Sequence, residues 1–401
     1  MDFQTIKDID LGGKRILLRA DLNVPARRGK VTDTTRIDRL KPTIDYLRDA
    51  GAKILILSHF GRPEGEQNPE MSLAFLVSSL EECWGCDVKF APDCIGERAE
   101  KVAKTLQNGE IALLENLRFH AGEKANDPNF VAELAKLGDI YVNDAFSAAH
   151  RAHASTEGLA HVLPPAAGLS MSKELDALDA ALEHPQTPVA AVTGGSKIST
   201  KLNVLYHLVE KVDYLILGGA MANTFIHARG GNIGASMCEK DMQDEANKIL
   251  AHADTQNCKI LLPIDAVVVR ELKNGAEFEH VPADNISSDM MAVDAGPKSI
   301  QYFLDEIGEC KTLVWNGPLG VFEISPFDAG TNALAKAVAS RTQDGSLVSI
   351  AGGGDTVAAL ENAGITQDLT YISTAGGAFL EWLQGKTLPG VAALSRKKQA
   401  A

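Results

Sequence analysis

The sequence predicts an α/β protein made of two doubly wound, parallel-sheet domains joined by a helical hinge. Its 401 residues exceed the roughly 250–300 that a single hydrophobic core usually serves, so two domains are expected. Apolar runs of four to eight residues alternate with longer amphipathic stretches, which is typical of alternating strands and helices. Most of the short runs are apolar without a break, as in strands buried on both faces of a parallel sheet.

The predicted strands fall into two groups along the chain. The first group is 15–19, 53–57, 111–114 and 140–142. The second group is 189–192, 214–217, 259–263, 312–315, 347–350 and 370–372. Helical periodicity lies between them at 41–49, 98–106, 130–137, 202–211, 243–252 and 299–307. Strand and helix therefore alternate in both groups.

Loop signals predict a domain boundary between the two groups. Prolines at 164–165 are followed by a helix-like stretch at 171–182, and a proline-containing segment at 184–188 breaks the chain again. We therefore expect a first domain at 1–169, a helical linker at 170–187 and a second domain at 188–389.

The composition excludes several classes of protein. The formal net charge of −14 argues against nucleic acid or an anionic membrane as a partner, and any anion site must use a local basic cluster. No apolar run reaches the ~18–20 residues of a membrane span, and the start of the chain lacks the pattern of a secretory signal. Six cysteines are too few for a disulfide scaffold, so a cytoplasmic location is expected.

Cys83 and Cys86 have the spacing of a redox or zinc-binding pair. A second pair at metal-ligand spacing is missing, because Cys94 stands alone. The two cysteines also lie where a helical pattern at 73–82 runs into a predicted strand at 87–91. We therefore expect them to be structural.

The strand ends of the first half are basic and polar. In open α/β sheets, ligands bind beyond the carboxyl ends of the strands. Arg62, Arg118 and Arg151 follow three predicted strands, and Arg36 begins the helical pattern after the first strand. The guanidinium group offers a planar fork of donors for phosphate or carboxylate. In an acidic protein, arginines at one end of a sheet predict an anion site; the alternative for each one is solvated surface charge.

The strand ends of the second half are glycine-rich. Glycine allows close approach of backbone to ligand, and N–H groups at a helix start favour phosphate. Lys197 and Lys201 are one helical turn apart, so we expect them to face the same ligand. Asp355, in the first turn of a predicted helix, is placed to meet magnesium on a nucleotide. The Walker A and Gly-x-Gly-x-x-Gly fingerprints are both absent.

Several blocks of sequence resemble the phosphoglycerate kinases, from Leu17 to Val391. The first half carries them at 17–25, 58–63, 115–119 and 149–155. The second half carries them at 194–201, 315–323 and 352–356. Blocks of this number in the right order make a chance match very improbable.

The resemblance implies two sets of binding residues. It implies that 3-phosphoglycerate is bound by Asp21, Leu22, Asn23, Arg36, His59, Phe60, Gly61, Arg62, Arg118 and Arg151. It implies that ADP or ATP with Mg²⁺ is bound by Gly194, Lys197, Lys201, Gly219, Asn316, Glu323, Gly353, Gly354, Asp355 and Thr356. Asp355 would hold the magnesium. The resemblance further implies a monomer that acts on small molecules alone and returns its last residues, here 390–401, to the first domain.

The reaction implied by the resemblance is 1,3-bisphosphoglycerate plus Mg-ADP giving 3-phosphoglycerate plus Mg-ATP, reversibly. The nucleophile of the reverse direction is a carboxylate, which is ionised at neutral pH and needs no general base. Alignment and charge stabilisation are then sufficient, and we assign them to Arg36, Lys197 and the N–H groups of Gly353 and Gly354. Closure of the domains would use the linker and the segment 373–378 as hinges.

The chain departs from the family pattern at a few positions. Ser170 and Ser172 lie in the predicted linker, Ala295 near the adenine side, and Ala375 near a hinge. We expect these positions to affect nucleotide preference and closure, and not phosphate handling. His120, His150 and His153 are expected to pack or hydrogen-bond rather than bind a metal.

Two other functions fit a two-domain α/β chain. A nicotinamide dehydrogenase would need the dinucleotide fingerprint with an acidic residue about 20 positions later, and that arrangement is absent. A two-lobed anion-binding protein would explain the arginines but not the glycine- and lysine-lined second half. Titration with NADH and with Mg-ADP separates these possibilities.

Overall fold

The structure is a computed structural model that describes residues 3–395. The described chain divides into two compact units, one formed by 3–176 with 387–395 and the other by 177–386. Each unit contains a six-stranded parallel sheet flanked by helices. The predicted fold class is therefore confirmed. The predicted ends of the two domains and of the linker remain predictions, and residues 396–401 of the expected C-terminal return lie outside the described residues.

The sheet of the first unit is built around its first strand. Its order is Val88–Ala91, Ile111–Leu114, Lys53–Leu57, Arg15–Ala20, Ile140–Asp144, Pro165–Ala167. The helices of this unit are Thr35–Asp49, Val77–Trp84, Gly96–Thr105, Ala121–Ala125, Pro128–Ala135, Leu159–Val162, Leu169–Leu178 and Pro389–Ala392. Ile16, Leu17 and Leu18 are fully buried, as the unbroken apolar run predicts.

Parallel register brings the strand ends of this unit to one edge. Arg19 is paired with Leu57 on one side and with Asn143 on the other. The segments that follow these three strands therefore leave the sheet side by side. They carry Asp21, His59 and Arg151 among others, so the basic strand ends share one edge.

The sheet of the second unit has the same design. Its order is Lys259–Leu261, Tyr214–Leu217, Val189–Thr193, Thr312–Asn316, Val348–Gly352, Tyr371–Ser373. Its helices are Leu202–Val209, Gly219–Ala228, Gln243–Gln256, Pro297–Glu306, Ala329–Gln343, Gly354–Asn362 and Gly376–Leu383. Thr193 and Asn316 are paired, which places the glycine-rich strand ends beside each other.

The second unit also contains a three-stranded antiparallel sheet that the sequence analysis did not predict. Its order is Phe278–Pro282, Asp265–Val269, Met291–Ala295, with a bulge between Val267 and Val268. Four of the five residues of the strand Phe278–Pro282 are exposed, so this strand lacks the apolar pattern that would have revealed it. Two short pairs complete the sheets, Ala26–Arg27 with Lys30–Val31 and Asn232–Ile233 with Asn285–Ile286.

The helix-like stretch predicted at 171–182 is helical in the structure. The helix covers Leu169–Leu178, and a π-helical turn follows at Asp179–Glu183. Cys83 and Cys86 lie where the helix Val77–Trp84 runs into the strand Val88–Ala91, as the pattern predicted. The helix Val77–Trp84 ends at Gly85, whose φ is +67°, and both cysteines are free and partly buried against the core. Every helix among residues 3–395 is too short or too polar to cross a membrane.

Candidate functional site

The basic edge of the first unit begins with an ion pair. Nη1 of Arg36 lies 2.8 Å from Oδ2 of Asp21 and also donates to the carbonyl oxygen of Asn23 at 3.0 Å. The side-chain oxygen of Asn23 accepts a bond from the Gly61 N–H at 3.0 Å. These contacts connect the helix Thr35–Asp49 with the loops after the first two strands, so Arg36, Asp21, Asn23 and Gly61 form one framework.

The remaining residues predicted for this edge lie on the same loops. The N–H of Leu22 donates to Ser58 Oγ at 3.1 Å, and Phe60 stacks edge-on against Phe75 at 5.0 Å. Nη1 of Arg118 donates to the carbonyl oxygen of Gly61 at 2.8 Å. Arg62 and Arg151 are exposed, and Nε of Arg151 donates to Nε2 of His150 at 2.9 Å.

The pKa shifts of Arg118 and His59 indicate that several arginines of this unit lie close together. Burial lowers the pKa of Arg118, and Arg19, Arg62 and Arg151 lower it further, while Glu123 opposes them. Burial also lowers the pKa of His59 to about 2, with added lowering by Arg19, Arg118, His153 and Arg36. A group can be influenced in this way only by charges close to it. The edge is therefore strongly electropositive within an acidic chain.

The glycine-rich edge of the second unit is closely packed. A Cβ on Gly194 would lie 1.8 Å from the carbonyl oxygen of Pro318, so only glycine fits there. Gly353 has φ of +101° and precedes the helix Gly354–Asn362. The side-chain nitrogen of Asn316 donates to the Gly352 carbonyl at 2.8 Å, and the Gly317 N–H donates to Thr356 Oγ1 at 2.7 Å. These bonds join the ends of two strands to the start of that helix.

Lys201 links two strand ends of this edge by hydrogen bonds. Its ammonium group donates to the Gly194 carbonyl at 2.7 Å, to the Asn316 carbonyl at 3.1 Å and to Asn316 Oδ1 at 2.7 Å. Burial lowers its pKa to about 8, and Asp355 opposes the shift. A lysine has three donor hydrogens, so the protein acceptors engage all of them.

The predicted helical spacing of Lys197 and Lys201 is wrong. The helix starts at Leu202, and Lys201 is its N-cap residue with φ of −122°. Lys197 lies on the preceding irregular loop with its side chain exposed. The close approach of Gly194 to Pro318 and the bonds of Lys201 to the strand ends hold that loop in a non-helical path. The ammonium group of Lys201 is therefore bound by the protein, whereas the side chain of Lys197 is exposed.

A cavity of about 350 Å³ opens beside this edge. Its lining is mostly apolar and includes Met237, Leu272, Val293 and Phe322, whereas Gly219, Glu323 and Asp355 contribute polar or backbone groups. Asp355 is exposed and Gly354 is next to it at the start of the helix. A flat apolar ring fits such a cavity, and a polyphosphate fits the adjoining glycines and N–H groups. The exposed Asp355 carboxylate offers the hard oxygen ligand that Mg²⁺ requires.

The four departures from the family pattern have distinct surroundings. Ser170 Oγ donates to the Arg39 carbonyl at 2.9 Å, and Ala295 lines the cavity. The N–H of Ala375 donates to Ser373 Oγ at 3.2 Å. Nothing in the structure explains Ser172, whose buried Oγ has no hydrogen-bond partner among the described residues.

The histidines are held by protein contacts. His120 Nε2 is 2.8 Å from Asp93 Oδ1, and the ring stacks on Phe130 at 5.3 Å. Asp93 and His120 could form a metal-ligand set with Cys94, since their ligand atoms lie within 4.8 Å of one another. However, Asp93 Oδ1 also accepts the Cys94 N–H at 2.7 Å, and burial keeps the pKa of the thiol well above its ordinary value. The backbone N–H of His153 donates to Thr156 Oγ1 at 3.0 Å.

Sequence reasoning did not single out several buried polar residues behind these edges. Arg19, Glu123 and Asp144 are at most 6% exposed and lie in or beside elements of the first unit, and Asp294 is 5% exposed beside the cavity of the second. A charged residue inside an apolar strand was the available signal for Arg19, since such residues are rarely buried without a partner. The other three had no signal in the sequence.

Comparisons with known proteins agree with this geometry. A family model described as phosphoglycerate kinase matches residues 6–386. The phosphoglycerate kinase of Sinorhizobium medicae (strain WSM419) is 56% identical over 399 residues, covering 99% of this chain and 100% of the relative. That of Methylorubrum extorquens (strain PA1) is 57% identical over 394 residues, covering 98% of each.

Solved structures give the same result. The structure of phosphoglycerate kinase from Coxiella burnetii matches with a TM-score of 0.92 and 42% identity, covering 98% of each chain. The crystal structure of phosphoglycerate kinase from Pyrococcus horikoshii OT3 matches with a TM-score of 0.79 and 31% identity, again over 98% of each chain. Because the family model agrees with relatives that match over nearly their whole length, this chain belongs to the phosphoglycerate kinase family.

Proposed function

We propose that this chain catalyses the reversible transfer of the acyl phosphate of 1,3-bisphosphoglycerate to Mg-ADP, giving 3-phosphoglycerate and Mg-ATP. The observation that carries the proposal is that one chain of this family contains two different groups of strand ends, one basic and one glycine-rich. One edge gathers guanidinium groups, and the other combines a mostly apolar cavity with glycines and a helix start. A small acidic metabolite fits the first edge, and a nucleotide fits the second.

The first unit would bind 3-phosphoglycerate. Arg62, Arg118 and Arg151 are the groups suited to its phosphate, because a guanidinium matches phosphate oxygens with parallel donors. Asp21 and Asn23 can accept or donate to the hydroxyl, and Arg36 is already positioned by its bond to Asp21. His59 supplies a further donor, and Leu22, Phe60 and Gly61 shape the loops. The convergence of the arginines supports this assignment.

The second unit would bind the nucleotide. The base would occupy the apolar cavity between Gly219 and Glu323, and the phosphates would lie along Gly194, Gly353, Gly354 and Thr356. Lys201 adds positive charge beneath this path, and Asn316 holds two of the loops together. Asp355 would hold the magnesium ion. When bound, the ion neutralises charge on the nucleotide phosphates.

The protein's part in the chemistry is alignment and charge stabilisation. The attacking or leaving group on the metabolite is a carboxylate, so no proton has to be moved. Arg36 and Lys197 would stabilise the charge on the phosphoryl group in transit, together with the N–H groups of Gly353 and Gly354. Hinge movement of the two domains would bring the substrates together and exclude water. The domains would be 1–169 with 390–401 and 188–389, with 170–187 and 373–378 as hinges.

The proposal extends to the setting in which the enzyme works. We expect a cytoplasmic monomer, since each unit carries one of the two half-sites within a single chain. The six cysteines are free, in keeping with a reducing compartment.

A coupled assay tests the function directly. ATP-dependent phosphorylation of 3-phosphoglycerate by the purified chain is followed through NADH consumption by added glyceraldehyde-3-phosphate dehydrogenase. We expect turnover that needs both ATP and Mg²⁺. An Asp355→Ala variant should need more Mg²⁺, whereas Asp241→Ala, an exposed control in the same unit, should behave like wild type. Absence of turnover with 3-phosphoglycerate at saturating Mg-ATP would refute the proposal.

A further inference from the structure

His59 is joined to Arg19 by a hydrogen bond whose direction is unambiguous. Nδ1 of His59 lies 2.9 Å from Nη2 of Arg19. A guanidinium has donor hydrogens and no acceptor, so Nδ1 must accept this bond with its lone pair. The single ring proton is therefore on Nε2, and the imidazole is neutral. Nε2–H remains as a hydrogen-bond donor for an anionic oxygen.

Arg19 is itself held by a directional chain of bonds. Its Nε donates to Ser155 Oγ at 2.9 Å, and that hydroxyl donates its one hydrogen to Glu123 Oε1 at 2.6 Å. The Ser155 N–H donates to the other oxygen of Glu123 at 3.0 Å. Arg19 and Glu123 are each only 1% exposed, so the Glu123 carboxylate supplies the counter-charge that a buried guanidinium needs. The chain fixes the position of the guanidinium that faces His59.

Three other groups around His59 also lower its pKa. Arg118 comes from the turn Leu117–Phe119, Arg36 from the helix Thr35–Asp49, and His153 from the loop after Arg151. Burial has the largest effect on the pKa of His59, followed by Arg19 and then these three groups. A positive charge on the ring would be both desolvated and repelled. The bond from Arg19 differs from these effects because it also selects the tautomer.

We propose that Arg19 is a positioning residue that keeps His59 neutral with its proton on Nε2, so that the substrate meets a donor whose charge does not change with pH. The proposal rests on the proposed role of His59 as a contact of 3-phosphoglycerate. A neutral donor can bond a phosphate or carboxylate oxygen without adding a further charge to the arginine cluster. The affinity for the acidic substrate would then not vary through this histidine near neutral pH.

Nuclear magnetic resonance of the ligand-free full chain tests the tautomer. Long-range ¹H–¹⁵N spectra distinguish protonated from unprotonated ring nitrogens, and His59 is assigned by the signals lost in His59→Gln. In wild type we expect a protonated Nε2 and a bare Nδ1 that do not change between about pH 5 and 9. In Arg19→Met, Nδ1 loses the donor that selects the tautomer, so we expect the ring proton to be shared between Nδ1 and Nε2, and the pKa of His59 should move upward because one of the charges that lower it is gone.

Two further variants keep the result interpretable. Arg19→Met leaves Glu123 buried without its counter-charge and can unfold, so Arg19→Met/Glu123→Gln, which removes both charges, is measured beside it. Arg15→Met is the matched control, because Arg15 belongs to the same strand but pairs with Asp139 at 2.6 Å. His59 should not titrate in that control. A wild-type His59 protonated on Nδ1, or titrating between about pH 5 and 8, would overturn the proposal, as would a double variant in which the ring proton of His59 still lies on Nε2 alone.

Kinetics provide a second measurement. In the double variant, the KM for 3-phosphoglycerate should rise by about twofold or more relative to Arg15→Met, because only part of the protein then offers Nε2–H to the anion. An unchanged KM would show that His59 does not act on the substrate in this way. Since the spectra use ligand-free protein, the tautomer result does not depend on turnover. Loss of the proposed function would instead appear as an inactive wild type.

Discussion

Two buried carboxyl groups, Asp144 and Asp294, have pKa values raised by burial, to about 6 and about 7. Asp294 accepts the N–H groups of Gly330 at 2.7 Å and Ala295 at 2.9 Å, which oppose the shift, whereas Asp328 adds to it. The fold thus favours the protonated form of Asp294 over the ionised one. The stability that this preference contributes is fully present below about pH 4, the ordinary carboxyl pKa, and is lost as the pH rises through about 7.

Replacing Asp294 by Asn should remove this pH dependence. The wild type should gain stability relative to Asp294→Asn as the pH falls from about 8 to 5, on the order of 1 kcal/mol per pH unit. Urea unfolding at several pH values, followed through tryptophan fluorescence, measures the difference. Asp241→Asn is an exposed control and should differ from wild type by a nearly constant amount. A constant difference for Asp294→Asn would contradict the expectation.

Arg36 and Lys197 are the residues assigned to the moving phosphoryl group. We expect Arg36→Ala and Lys197→Ala each to lower kcat by about 10²–10³-fold, the usual effect of removing a group that stabilises transition-state charge. The fold should persist, because Arg36 and Asp21 form a partly exposed pair worth about 1 kcal/mol or less. Steady-state kinetics and urea unfolding check both points.

Arg39→Ala is the control for Arg36. It removes a guanidinium from the next turn of the same helix, outside the contacts with Asp21 and Asn23. Its turnover should be close to that of wild type. Near-normal turnover of Arg36→Ala or Lys197→Ala would refute the role assigned to that residue.

At the scale of elements, the start of the helix Leu169–Leu178 is anchored by buried groups. Thr43 Oγ1 donates to Asp144 Oδ2 at 2.6 Å and accepts the Leu169 N–H at 3.1 Å. Asp144 Oδ1 accepts the Met171 N–H at 2.7 Å. These bonds satisfy N–H groups that a helix start leaves without internal partners. They join this helix to Thr35–Asp49, the helix that carries Arg36.

The anchor can be tested with Thr43→Val, which keeps the shape and removes the hydroxyl. Asp144 then loses a donor and the Leu169 N–H loses an acceptor, so we expect the free energy of unfolding to fall by about 1–3 kcal/mol. Thr105→Val is the matched control, because its hydroxyl only bonds helix carbonyls at the surface and should matter by ~0.5 kcal/mol or less. Equal effects of the two substitutions in urea unfolding would argue against the anchor.

The elements differed in how well the sequence predicted them. Strands such as Lys53–Leu57 were found because burial on both faces demands an unbroken apolar run. The helix Ala329–Gln343 was missed, since small and polar residues spread around it conceal its buried face. The strand Phe278–Pro282 was missed because pairing with Asp265–Val269, and not its own pattern, makes it a strand.

At the scale of the whole molecule, the two proposed half-sites belong to different units. The proposed mechanism therefore includes closure of the two domains. We expect the radius of gyration from X-ray scattering to decrease when 3-phosphoglycerate and a non-hydrolysable Mg-ATP analogue are both present, and to change less with either one alone. No decrease with both ligands at saturation, or the full decrease with one, would contradict hinge closure as proposed.

The net charge of −14 also acts at this scale. An acidic molecule repels acidic metabolites at long range, so binding depends on the local field of the arginine cluster. This local requirement explains why the strand ends of the first unit concentrate guanidinium groups.

The sequence by itself determined the fold class, the family and the two kinds of strand end. These properties depend on short-range patterns: unbroken apolar runs, glycines at turns, and charged residues directly after strands. Tertiary structure alone decided the cavity, the setting of Lys201, the anchoring of Leu169–Leu178 and the tautomer of His59. Each of these depends on atoms distant in the chain, as with Arg19, Ser155 and Glu123, which only the folded protein brings into one series of hydrogen bonds.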